Sequence, residues 1–121
     1  MKILIIDDED IVLISVQRLL ARRGYAVTVS PSGSNAIEAT EGNIFDLIIS
    51  DVRMPGLNGV ETVKQIKKLQ AKLGQPNPQV IFLTGYADVD LEQEAKKLNP
   101  IGYILKPFDA EDLLRIIENV K

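Results

Sequence analysis

The side chains able to do chemistry in this chain are carboxylates, lysines and hydroxyls, because its 121 residues include no histidine and no cysteine. That excludes imidazole general bases, Ser-His-Asp and Cys-His nucleophile systems, disulfides, and metals held by nitrogen or sulfur. Five residues of the permitted types follow short apolar runs: Asp7 and Asp8 after Ile3 to Ile6, Asp51 after Leu47 to Ile49, Thr84 after Val80 to Leu83, and Lys106 after Ile101 to Leu105. Singly, each has a plain structural role. Acids cap helices and favour their N-termini, Asp51 precedes the turn-forming Met54-Pro55-Gly56, a hydroxyl ends a strand, and a lysine is solvated. Such separate roles do not account for three acids, a base and a hydroxyl at equivalent places.

Unit charges about 4 Å apart repel by roughly 4 kcal/mol at an effective dielectric near 20. A divalent cation removes that repulsion; without one, a carboxyl is pushed towards its protonated form. An all-oxygen donor set selects magnesium, manganese or calcium over zinc or copper, and magnesium suits a site that shares its shell with phosphate oxygens. The chemistry most consistent with the set is phosphoryl transfer, with the metal and Lys106 neutralising phosphoryl oxygens and a carboxylate as nucleophile. The turn Asp7-Asp8-Glu9-Asp10 is acidic rather than glycine-rich, so it repels a bare phosphate, and nucleotide or flavin binding is disfavoured.

Placing these residues together requires a particular order of elements. Short apolar runs at 3–6, 25–29, 47–49, 80–83 and 101–105 alternate with segments of helical period, which reads as an α/β chain of the (βα)5 type, one domain over residues 1–121. Several runs are continuously apolar, as in doubly wound parallel sheets covered on both faces. In the first helix Val12, Val16, Leu19 and Leu20 form the apolar stripe and Gly24 ends it. The second spans 34–41, the third 60–73 and the fourth 89–98; the last starts at Asp109 as N-cap, with Asp112 in a capping-box position and Leu113, Ile116, Ile117 and Val120 buried. The breaker-rich stretch at 73–79 is a loop. Right-handed crossovers bring every strand's carboxyl end to one edge, where ligands of such sheets bind.

With 45% apolar residues and a net charge of −3, the chain has a foldable composition and no basic field, so nucleic acid and anionic membranes are not expected partners of this chain alone. The run Ile3 to Ile6 is too short for a signal peptide, no stretch approaches a membrane span, and the absence of cysteine fits the cytoplasm.

The residues resemble the receiver domain of two-component response regulators along the whole chain. The match lies in I-L-I-I-D-D-E-D at 3–10, D-V-R-M-P-G-L-N-G at 51–59, L-T-G-Y at 83–86 and Y-I-L-K-P-F at 103–108. The resemblance implies a flavodoxin-like strand order 2-1-3-4-5 and a phosphoacceptor Asp51 that attacks the phosphohistidine of a sensor kinase or phosphotransfer protein. It implies magnesium, with manganese as the alternative ion, held by Asp7, Asp8, Asp51 and the backbone carbonyl of Arg53, Asp7 acting through water. Lys106 would pair with the phosphoryl group, Thr84 would donate its hydroxyl to it, and Gly85 would leave the approach open. Thr84 and Tyr103 would form a switch read on a face of the fourth helix, fifth strand and fifth helix, by an output partner or a phosphorylation-dependent homodimer. Arg53 and Tyr86 would slow hydrolysis of the acyl phosphate, and the Lys106-Pro107 bond would be cis. Such a chain catalyses its own phosphorylation and dephosphorylation without turning over a separate substrate.

Two other readings exist. A magnesium-dependent phosphohydrolase is suggested by the D-x-D spacing of Asp8-Glu9-Asp10, but the later acidic cluster and cap domain it needs are not seen. A pseudo-receiver that only binds protein would not require all five site residues. The stretch from Gly74 to Gln79 is a little longer than the usual receiver connection.

Overall fold

The computed structural model describes residues 1–85 and 88–120. Five strands and five helices alternate: β1 (Lys2–Ile6), α1 (Asp10–Ala21), β2 (Ala26–Ser30), α2 (Gly33–Glu41), β3 (Leu47–Asp51), α3 (Gly59–Lys72), β4 (Gln79–Thr84), α4 (Val89–Lys96), β5 (Gly102–Leu105) and α5 (Ala110–Glu118). All pairings are parallel, in the order β2-β1-β3-β4-β5, so the (βα)5 expectation and the flavodoxin-like order both hold.

Two apolar layers sandwich the sheet. Leu4, Ile6, Ile48 and Phe82 face Val60, Val63 and Ile66 of α3, while Ile3, Ile5, Ile49 and Leu83 face Val16 and Leu20 of α1 and Leu113 and Ile117 of α5. This alternation explains why β1 and β3 are apolar at every core position: each strand is covered on both sides. The edge strands β2 and β5 differ, since most of their residues are only half-buried. Coverage of both faces therefore describes the central strands.

Local chemistry sets the helix ends. Gly24 adopts φ +86, and the Gly24 and Tyr25 amides donate to Ala21 and Leu20 carbonyls at 3.0 and 3.2 Å, closing α1 as a left-handed cap. The Asn58 side chain accepts from the Glu61 amide at 2.9 Å and starts α3. Two expectations change. The buried stripe of α1 is Leu13, Val16 and Leu20, with Val12 and Leu19 half-buried, because the helix is turned slightly on the sheet. Asp109 stands at the N-cap of α5 but its side chain makes no cap bond, Asp112 reaches Arg115 at 3.4 Å instead, and Leu114 joins the buried face where Ile116 and Val120 are only half-buried. Among the described residues no helix is long and apolar enough to cross a membrane.

Candidate functional site

Parallel strands deliver Asp7, Asp51, Thr84 and Lys106 to one edge of the sheet. The Asp7 amide donates to the Ser30 carbonyl at 3.1 Å and the Lys106 amide to the Thr84 carbonyl at 2.7 Å, so backbone pairing continues past the strand ends and fixes both residues. Behind Asp51, the Val52 amide reaches the Leu83 carbonyl at 3.0 Å and the Gly59 amide reaches the Val52 carbonyl at 2.7 Å. A Cβ on Gly59 would overlap the Asp51 carbonyl oxygen, so the start of α3 approaches this backbone as only glycine allows.

The acids converge. One carboxylate oxygen from each of Asp7, Asp8, Glu9 and Asp51 lies within 4.8 Å of the others. Asp7 and Asp51 are buried, whereas Asp8 and Glu9 are exposed. Lys106 is the shared cation: its Nζ lies 2.7 Å from Asp7, 3.2 Å from Glu9 and 3.4 Å from Asp51. The cleft above them is lined by Asp8, Glu9, Asp51, Arg53, Gly85 and Lys106.

One ammonium does not balance four carboxylates. Burial, and then the neighbouring Asp7 charge, push the Asp51 carboxyl up to about 6 against the pull of Lys106. Burial likewise raises Asp7, against its hydrogen bond from Lys106. Burial alone would lower the Lys106 ammonium, but the Asp7 hydrogen bond and the Asp51 charge outweigh it and leave it above the usual lysine range. Hard oxygen donors at short spacing with an excess of negative charge fit a divalent cation such as magnesium.

Thr84 is buried beneath the cleft, near enough to the Tyr103 hydroxyl to influence its ionisation. Tyr103 is half-buried against Phe82, ring centroids 6.5 Å apart. Burial, then the Glu92 charge, raise the Tyr103 hydroxyl above its usual range despite the opposing influence of Thr84. The structure thus gathers Asp7, Asp8, Asp51, Arg53, Gly85 and Lys106 around one cleft and sets Thr84 with Tyr103 just behind it. Tyr86 lies outside the described residues. The Lys106-Pro107 bond is cis. Sequence reasoning missed Glu9 and Gly59 as site residues. Glu9 was visible as part of the acidic turn, and Gly59 as the glycine after the Asn58 cap.

The chain is thus a doubly wound parallel sheet with an acid cluster, a lysine and a hydroxyl at its carboxyl edge. The model of the response regulator receiver domain matches residues 3–118, and the chain belongs to that family. It is 37% identical to the transcriptional regulatory protein FixJ of Bradyrhizobium diazoefficiens, over 97% of this chain and 55% of that protein. It is 30% identical to sporulation initiation phosphotransferase F of Bacillus subtilis, over 93% of this chain and 86% of that one. The chain spans about half the length of FixJ and, at 35% identity, a quarter of the transcriptional regulatory protein ZraR of Escherichia coli. The chemotaxis protein CheY4 of Vibrio cholerae superposes with a TM-score of 0.86 at 32% identity, covering 99% of this chain and 98% of that one.

Proposed function

We propose that residues 1–121 form one receiver domain in which Asp51 accepts a phosphoryl group from the phosphohistidine of a sensor kinase or phosphotransfer protein. The observation that carries this reading is the position of the Lys106 ammonium, within 3.4 Å of the buried Asp51 carboxylate and inside a ring of further acids. An Asp51 carboxylate oxygen attacks phosphorus, the O–P bond forms as the P–N bond breaks, and the electron pair returns to the imidazole nitrogen. Lys106 then exchanges carboxylate contacts for the new phosphoryl oxygens.

Magnesium, or manganese in its place, would be held by Asp7, Asp8, Asp51 and the Arg53 carbonyl, and when bound it supplies positive charge to the phosphoryl oxygens. The remaining work falls to the chain. Gly85 leaves the approach open, Thr84 gives its hydroxyl to the phosphoryl group, and Tyr103 follows Thr84 inward. That couples the site to the face of α4, β5 and α5, where an output partner or a second phosphorylated copy docks. Arg53 flanks the cleft and hinders the water that hydrolyses the acyl phosphate. The setting that supplies a phosphohistidine donor is the cytoplasm.

Incubation with phosphoramidate and magnesium tests the reading. Hydroxylamine-labile phosphate should appear on the chain and should require the metal; its absence at any magnesium concentration contradicts the proposal. Arg53→Ala should shorten the half-life of the product, and an unchanged lifetime removes Arg53 from hydrolysis control.

A further inference from the structure

Helix α3 carries Lys64, Lys67, Lys68 and Lys72, spaced so that all four share one face. With Lys96 and Lys97 at the end of the neighbouring α4, six of the nine lysines gather on two adjacent helices of a chain whose net charge is −3. They are unevenly neutralised. Lys64 and Lys97 share Glu94 at 3.4 and 3.1 Å, and Lys96 meets Glu92 at 3.7 Å. Among the described residues Lys67, Lys68 and Lys72 face no carboxylate, and the half-buried Lys67 ammonium reaches only the Asn77 Oδ1 at 3.3 Å. Burial holds that ammonium below the usual lysine range.

Lys67 and Leu98 form the wall shared by two adjoining hollows. One is lined further by Glu61, Lys64, Gln65 and Lys68; the other by Asn77, Pro78, Val80, Lys97, Asn99 and Ile101. The second opens beside the start of β4, at the sheet edge opposite the acidic cleft. Its rim includes Asn77, Pro78 and Gln79, from the connection between α3 and β4. A lysine stripe therefore runs beside a hollow whose floor includes Leu98, Val80 and Ile101.

We propose that this surface binds an acidic amphipathic segment of a partner protein, its carboxylates along Lys64 to Lys72 and one apolar side chain on Leu98. The lysines run about 12 Å along the axis at 1.5 Å per residue, the length over which glutamates two turns apart on a partner helix would meet them. Charge complementarity calls for an anionic partner, and the make-up of the patch favours carboxylates over nucleic acid. The patch has no arginine for bidentate phosphate contacts, no aromatic ring for bases, and carries Glu61 and Glu94 within it. The apolar floor also rewards a hydrophobic anchor that a phosphate backbone lacks.

The test uses the full chain and a fluorescein-labelled helical peptide of about 14 residues, with glutamates on one face beside a single leucine. Fluorescence anisotropy should show saturable binding that weakens as salt is raised from about 50 to about 300 mM. Lys67→Ala with Lys68→Ala should raise Kd about tenfold with an unchanged circular dichroism spectrum. Lys67→Glu should regain affinity when the facing glutamate of the peptide is replaced by lysine. The proposal is overturned by no saturable binding, by equal affinity in the double variant, or by tighter lysine-dependent binding of a DNA duplex or phosphatidylglycerol vesicles. Self-association that the same substitutions abolish also overturns it, since a second copy would then be the occupant.

Discussion

The Lys106 ammonium stands 2.7 Å from the Asp7 carboxylate, joining two residues 99 positions apart in sequence. The bond ties the end of β5 to the end of β1 across the intervening strands, over the cleft that holds Asp51. Both side chains are largely withdrawn from water, so the pair is stabilising only while both members are present. Lys106→Ala should therefore lower the metal-free stability by on the order of 3 kcal/mol, because it leaves buried carboxylates without their cation. Urea unfolding measures it, and magnesium should recover part of the loss. An unchanged midpoint would mean that the pair carries no net stability.

The raised Asp51 carboxyl gives a pH dependence whose sign is opposite to that of most carboxylates. Its folded value, about 6, exceeds the ordinary aspartate value of 3.8, so between these values the folded state binds more protons than the unfolded one. Asp51 therefore contributes stability as pH falls from above 6 towards 4, on the order of 3 kcal/mol in all. Asp51→Asn should be more stable than the parent at pH 7.5 without metal, and the difference should shrink on acidification. A constant difference across that window would show that Asp51 is not held in an unfavourable ionised state.

Gly59→Ala should destabilise by roughly 2–4 kcal/mol, the cost of forcing a methyl group against a backbone that cannot retreat. The position is specific, since the added Cβ meets the Asp51 carbonyl oxygen and Ser50. Chemical denaturation checks it, with Gly42→Ala as the comparison because a Cβ there meets nothing within 4 Å. Equal effects at the two glycines would remove Gly59 from the support of Asp51.

Tyr103 should change rotamer when a phosphoryl mimic such as beryllofluoride occupies the Asp51 site, because its hydroxyl neighbours the Thr84 side chain that the mimic attracts. Ring resonances of Tyr103 with and without the mimic report it, and Thr84→Ala should abolish the response. An identical spectrum in both states contradicts the coupling.

Much of this was legible in the residues. The central strands announce themselves because β1 and β3 are covered on both faces, and the site follows because parallel strands must end at one edge. Asp7, Asp8, Asp51 and Lys106 could thus be brought to one edge from the alternation of strands and helices alone. Other features depend on three-dimensional contacts that no local pattern encodes. The phase of α1, set by its seating on the sheet, decides that Leu13 is buried and Val12 only half so. The free choice of Asp112 between a capping role and Arg115 is settled by side-chain reach at the surface. Gly59 matters because of the backbone it abuts, and Glu9 because its long side chain turns back to Lys106 instead of capping α1.

The most direct measurement is the intact mass of the wild-type chain and of Asp51→Asn after incubation with a small phosphodonor and magnesium. The wild type should gain one phosphoryl group, which should not appear when the metal is chelated before the donor is added, and Asp51→Asn should gain none. Equal phosphorylation of the two chains, or none on the wild type, would contradict it.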